Sequence, residues 1–100
     1  MNIKKRYGLE DLEKDFGPLT FGDVLSSYRH GEGLSQKEFA LVLGISSQSL
    51  CDIEKNRRIP SPSRAAKIAR LLKEPESFWI RLALQDTLRK ENLNFTVSVA

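Results

Sequence analysis

Apolar residues recur through most of the chain at the three- and four-residue spacing of helices buried on one side. Phe21, Val24, Leu25 and Tyr28 share such a face, so a helix is predicted from Thr20 as N-cap to about Arg29, ended by Gly31 and Gly33. Ser35-Gln36-Lys37-Glu38 reads as a capping box, in which the Ser35 hydroxyl takes the Glu38 amide and Glu38 reaches back. The second helix it opens carries Phe39, Ala40 and Leu43 and stops at Gly44, a residue suited to the left-handed end of a helix. Ser46 restarts a third helix with Leu50 and Ile53 inward. After the loop from Asn56 to Pro60, Ser61-Pro62 sets an N-cap before a proline at the first helical position. The fourth helix, to about Lys73, buries Ala65, Ile68, Ala69 and Leu72. Pro75 opens a fifth, to about Asn92, whose Phe78, Trp79, Leu82, Ala83, Leu84 and Leu88 cover more than one stripe and suggest a second packing surface.

The two ends read differently. Leu9, Leu12 and Phe16 lie at helical spacing in a charged stretch that Gly17-Pro18 breaks, which predicts a short helix or an arm. Phe95-Thr96-Val97-Ser98-Val99 alternates apolar and polar in the manner of a strand. A lone strand needs a partner edge, such as the same strand of a second subunit; a frayed terminus is the alternative. The expected fold is all-α, with five helices and a short C-terminal β-strand. Its parts are an arm over residues 1–19, a central domain over 20–73 and a dimerisation segment over 74–100.

One domain suits 100 residues of which 40% are hydrophobic. No run reaches the ~18 apolar residues of a membrane span, and no signal-peptide core opens the chain, so a cytoplasmic protein without membrane contact is expected. Cys51 is the only cysteine and His30 the only histidine. An intrachain disulfide, a thiolate zinc site and a histidine-based triad are thereby excluded, and no Gly-rich phosphate loop appears. Neither an enzyme, a metal nor a cofactor is expected. Charge narrows the picture further. Residues 34–74 carry a net +4, residues 1–33 a net −1, and residues 75–100 balance. The whole excess of cations therefore sits where a polyanion would be met.

Across Gln36–Ile53 the pattern becomes specific. Two short helices joined by a tight turn must cross steeply and closely, which requires a small residue at the crossing, a residue tolerant of positive φ at the turn, and apolar anchors from both helices. Ala40, Gly44, and Phe39, Leu43, Ile45, Leu50 and Ile53 supply them in turn. This is the spacing of a helix-turn-helix.

On Arg29, Gly33-Leu34-Ser35-Gln36-Lys37-Glu38-Phe39-Ala40, Leu43-Gly44-Ile45-Ser46, Ile53-Glu54 and Arg57-Arg58, residues 20–73 resemble the Cro/Xre family of helix-turn-helix repressors. The resemblance implies a lambda-repressor-like domain whose third helix enters the major groove of DNA. Its candidate base readers are Ser47, Gln48, Ser49, Asp52 and Lys55. Gln48 leads them, because an amide can pair bidentately with adenine, while Asp52 can accept from cytosine. Candidate phosphate contacts are Gln36, at the first turn of the second helix, with Ser46, Asn56, Arg57, Arg58 and Arg64. Capping is the main task expected of Ser46. Arg29 and Glu54 match a structural ion pair of related repressors, and Cys51 reads as a small buried thiol.

Partners follow from the same resemblance. Such proteins bind double-stranded DNA as homodimers on inverted-repeat operators, with half-sites roughly 10 bp apart. Trp79, Leu84, Leu88, Phe95, Val97 and Val99 are the expected dimer interface, with a place in the core as the other reading of Trp79. The role expected is a repressor that is also the antitoxin of a type II toxin–antitoxin module and autoregulates its operon, similar to HigA-type antitoxins with a cognate toxin, although their His-Pro-Gly opening is missing. A solitary regulator is one alternative, and a protein-interaction adaptor without DNA binding is another.

Overall fold

The computed structural model describes residues 18–98. The expected N-terminal helix, and Val99, lie outside the described residues. Five helices succeed one another: α1 (Phe21–Gly31), α2 (Gln36–Leu43), α3 (Ser47–Glu54), α4 (Pro62–Leu72) and α5 (Glu76–Lys90). Local chemistry sets their ends. Thr20 and Ser35 each form a full capping box, with Asp23 and Glu38, while Ser46 and Ser61 each accept an amide of the first turn. Gly44 ends α2 at φ 68°, where a side chain would be strained. Lys73 accepts a similar left-handed conformation after α4.

All five helices feed one core. Phe21, Val24 and Leu25 of α1 meet Phe39 and Leu43 of α2, Leu50 and Ile53 of α3, Ala65, Ile68 and Ala69 of α4, and Trp79 and Leu82 of α5 in a single buried cluster. α5 packs mainly along α4 and also against α1. This corrects the expectation for Trp79. Its side chain is 0% exposed and lies edge-on to Phe21 at 5.2 Å and to Phe78 at 5.9 Å, so it closes the core and offers nothing to a partner. Leu84 and Leu88 remain half-buried on α5.

The expected C-terminal strand is not seen in the single chain: no strand is present among the described residues. The tail turns back along α5, where the Gln85 amide donates to the Phe95 carbonyl at 2.8 Å and accepts the Val97 N–H at 2.8 Å. One side chain thus supplies the donor and acceptor that a neighbouring strand would have offered. Phe95 stays 69% exposed, and Val97 is half-buried.

Two contacts fix α1 to the elements around it. A Cβ on Gly22 would run into the Ile53 carbonyl and come within 2.6 Å of Asn56 Oδ1, so only glycine lets α1 approach the end of α3. On the other side, Asp86 of α5 accepts the Phe21 N–H at 2.8 Å and pairs with Arg89, which also donates to the Leu19 carbonyl. A first-turn amide of α1 is therefore capped from a helix 65 residues away. Burial pushes the Asp86 carboxyl above its ordinary value, against the opposing pull of the Phe21 N–H and the Arg89 guanidinium. A raised carboxyl pKa means that the folded chain holds the proton more tightly than the unfolded one. Ionisation of Asp86 then costs stability as pH rises from the ordinary value through the folded one, and the cost persists at neutral pH. Asp86→Asn keeps an oxygen for the Phe21 N–H. Thermal melts should therefore show it faring better, relative to the wild type, near pH 7 than near pH 3; the reverse order would mean that the Arg89 pair outweighs burial.

Candidate nucleic-acid interface

The helix-turn-helix is built from α2, the turn at Gly44-Ile45-Ser46 and α3. Ala40 is buried where α2 meets its neighbours, and the Ile45 N–H donates to the Ala40 carbonyl at 3.1 Å, which tightens the turn. Behind the motif stands Glu54, the last residue of α3, with its side chain only 4% exposed. Arg29 grips it bidentately, through Nε at 2.8 Å and a second guanidinium N–H at 3.1 Å, while its remaining arm donates to the Leu34 carbonyl. Gln36 Nε2 adds a third bond to Glu54 at 3.0 Å. One carboxylate therefore joins α1, α2 and α3, and its loss would leave Arg29 buried without a counter-charge. Gln36, expected at phosphate, has one amide N–H committed to this joint, and it sits at the first residue of α2 beside that helix's N-terminal amides.

The outward face belongs to the first turns of α3. Ser47 and Gln48 are exposed there. Ser46, expected at phosphate, is engaged in capping: its oxygen accepts the Ser49 N–H and its hydroxyl donates to Ser49 Oγ, both at 3.0 Å. Ser49 is half-buried in consequence. Asp52, expected to read a base, has its Oδ1 already committed, accepting from Gln48 Nε2 and from Arg57 Nε at 3.0 Å each. Those two bonds, that from Arg57 before that from Gln48, hold the Asp52 carboxyl below its ordinary value. Lys55 is exposed just past the end of α3.

Beyond α3 the chain reverses through Asn56 at φ 62°, and the Asn56 side chain accepts a bond from the Thr20 hydroxyl at 2.7 Å. The Arg57 and Arg58 amides both return to the Asp52 carbonyl, at 2.8 and 3.2 Å, which fixes the basic loop against α3. Arg57 and Arg58 are exposed, as is Arg64 at the start of α4. Cys51 is half-buried, and Arg57 lies 3.4 Å from its sulfur.

Nothing in the sequence alone marks Thr20 for more than capping, Gly22 for a close approach, or Asp52 as a tether. The four-residue separation of Gln48 and Asp52 was the available signal, because an amide and a carboxylate at that spacing meet on a helix surface.

An all-helical domain with this joint and this exposed third helix defines a helix-turn-helix regulator of the Cro/C1 type. The chain belongs to the helix-turn-helix family HTH_3, which matches residues 25–79. Membership implies DNA binding. Two proteins named endothelial differentiation-related factor 1 homolog, from Xenopus laevis and Gallus gallus, are each 33% identical to it over 63 residues, or 63% of this chain. The chain spans only 43% of the length of either relative. No solved structure matches. Among the described residues, no helix is long and apolar enough to cross a membrane.

Proposed function

We propose that this protein is a sequence-specific transcription regulator of the repressor type, which lays α3 in the major groove of its operator and excludes other proteins from it. One observation carries the reading. Ser47 and Gln48 stand exposed on α3, while the basic loop beside it is anchored to the same helix through Asp52. In this reading the tether joins the base-reading helix to the phosphate-neutralising loop. Gln48 leads base recognition with Ser47 and Lys55 beside it. Arg57, Arg58, Arg64 and the α2 N-terminus take phosphates. A single such module reads few base pairs, so the protein acts as a homodimer on an inverted repeat; Leu84 and Leu88, half-buried on α5, are positions that a second copy would cover. A solitary regulator is the simpler form of the reading, because DNA binding alone accounts for α3 and the basic loop. An antitoxin would add a toxin-binding surface to the same scaffold.

Duplexes enriched from random sequence supply the test. Combining Gln48→Ala with Arg57→Ala is expected to lower affinity for the enriched duplex by more than about tenfold, with circular dichroism unchanged. Normal binding by the folded double variant would defeat the assignment of α3 and its loop.

A further inference from the structure

We infer that Asp52 is a specificity-determining positioning residue: it fixes which way the Gln48 amide faces, and so commits this protein to adenine at the base pair that Gln48 reads. The inference rests on the DNA-binding reading above and assigns Asp52 a task other than touching a base.

Geometry and hydrogen-bond chemistry carry it. An ionised carboxylate only accepts hydrogen bonds, so the Gln48 group 3.0 Å from Asp52 Oδ1 must be the NH2 end of the amide. The carbonyl Oε1 is then turned away from Asp52, and one N–H of the NH2 group stays uncommitted. That ordered pair, an acceptor beside a donor, is what adenine requires, since N6 donates and N7 accepts. Guanine offers acceptors at both O6 and N7 and leaves Oε1 facing an oxygen. An untethered glutamine can rotate or exchange its two ends, and its preference is correspondingly weaker.

Asp52 is itself held in place. Its Oδ1 also takes the Arg57 guanidinium at 3.0 Å, its side chain is only 28% exposed, and its carbonyl accepts the amides of both Arg57 and Arg58. The Arg57 charge offsets that of the carboxylate, which would otherwise repel the phosphates nearby. One residue thereby sets the base reader and the basic loop in a single register. Arg57, in turn, works partly as a brace and not solely as a phosphate ligand.

The experiment compares base preference instead of affinity alone. Random duplexes are enriched on the wild type, on Asp52→Ala and on Asp52→Asn, and the preference at each position of the enriched site is then measured by competition. The wild type should prefer adenine by about tenfold or more at one position per half-site. That position is identified as the one whose preference disappears in Gln48→Ala. Asp52→Ala should lose most of the adenine preference there while keeping its preferences elsewhere. Asp52→Asn, which retains a carbonyl acceptor, should keep part of it. A merely structural role would weaken every position alike. An unchanged adenine preference in a folded Asp52→Ala that still binds overturns the tether and leaves the DNA reading intact. Failure of the wild type to enrich any sequence overturns both. If Asp52→Ala does not fold, Asp52→Asn decides: a preference changed uniformly across the site, or unchanged from the wild type at the position Gln48 reads, counts against the tether.

Discussion

Replacing Trp79 with alanine is expected to cost about 3–5 kcal/mol of folding free energy. The indole is the largest fully buried side chain and stands between Phe21 of α1 and Phe78 of its own helix. Its N–H has no hydrogen-bond partner among the described residues, so the cost is one of packing: apolar contacts are lost and a cavity opens that the short helices around it can close only in part. Domains of this size are stable by about 5–15 kcal/mol in total, so the loss takes a large share. The melting temperature should fall by about 15–30 °C. A residue at a dimer interface would behave otherwise, leaving the protomer stable and making the fall depend on protein concentration. A small or concentration-dependent shift would therefore return Trp79 to an interface and contradict its place in the core.

Glu54→Ala should be nearly as damaging, at about 3–5 kcal/mol, because it removes one partner of a buried pair and leaves the other. Arg29 is 12% exposed and would keep its charge with only the Leu34 carbonyl to meet it, while Gln36 would lose its acceptor. Removing Arg29 and Glu54 together should cost less than the sum of the two single changes, since neither is then left facing an empty site. Urea unfolding of the four proteins measures this directly. Should Glu54→Ala cost under about 1 kcal/mol, the value of an exposed pair, the carboxylate is not the joint of the three helices.

Local signals carried most of the fold into view. Ser35 with Glu38, Gly44, Ser46 and Ser61-Pro62 act within one turn of chain, and the helices begin and end beside them as the spacing predicts. Arg29 and Glu54 were reached only through the family likeness, because nothing within a turn of either residue announces a partner 25 positions away. Tertiary contacts decided what the sequence pattern could not. The tail alternates like a strand, but alternation does not name the partner of its backbone groups; the Gln85 amide, on a helix, meets two of them, and Phe95 stays exposed. Trp79 fits a core and an interface equally well by hydropathy, and only the packing of α5 on α1 and α4 separates them. Nothing in the sequence around Asp86 marks it, yet it caps α1. In the candidate site, Gln48 was legible as an exposed amide on the third helix. The tethering of its NH2 end was not, because it depends on a carboxylate that Arg57 holds from the following loop.

Whether α3 and its basic loop form the surface that meets DNA is tested most directly by backbone amide chemical shifts recorded as a duplex enriched for binding is added. The largest changes should fall on residues 46–49, on Asp52, on Arg57 and Arg58, and on the first turn of α2, with little change along Leu84 and Leu88 once the dimer is formed. Changes concentrated on α5 and the tail, with α3 unmoved, would contradict it.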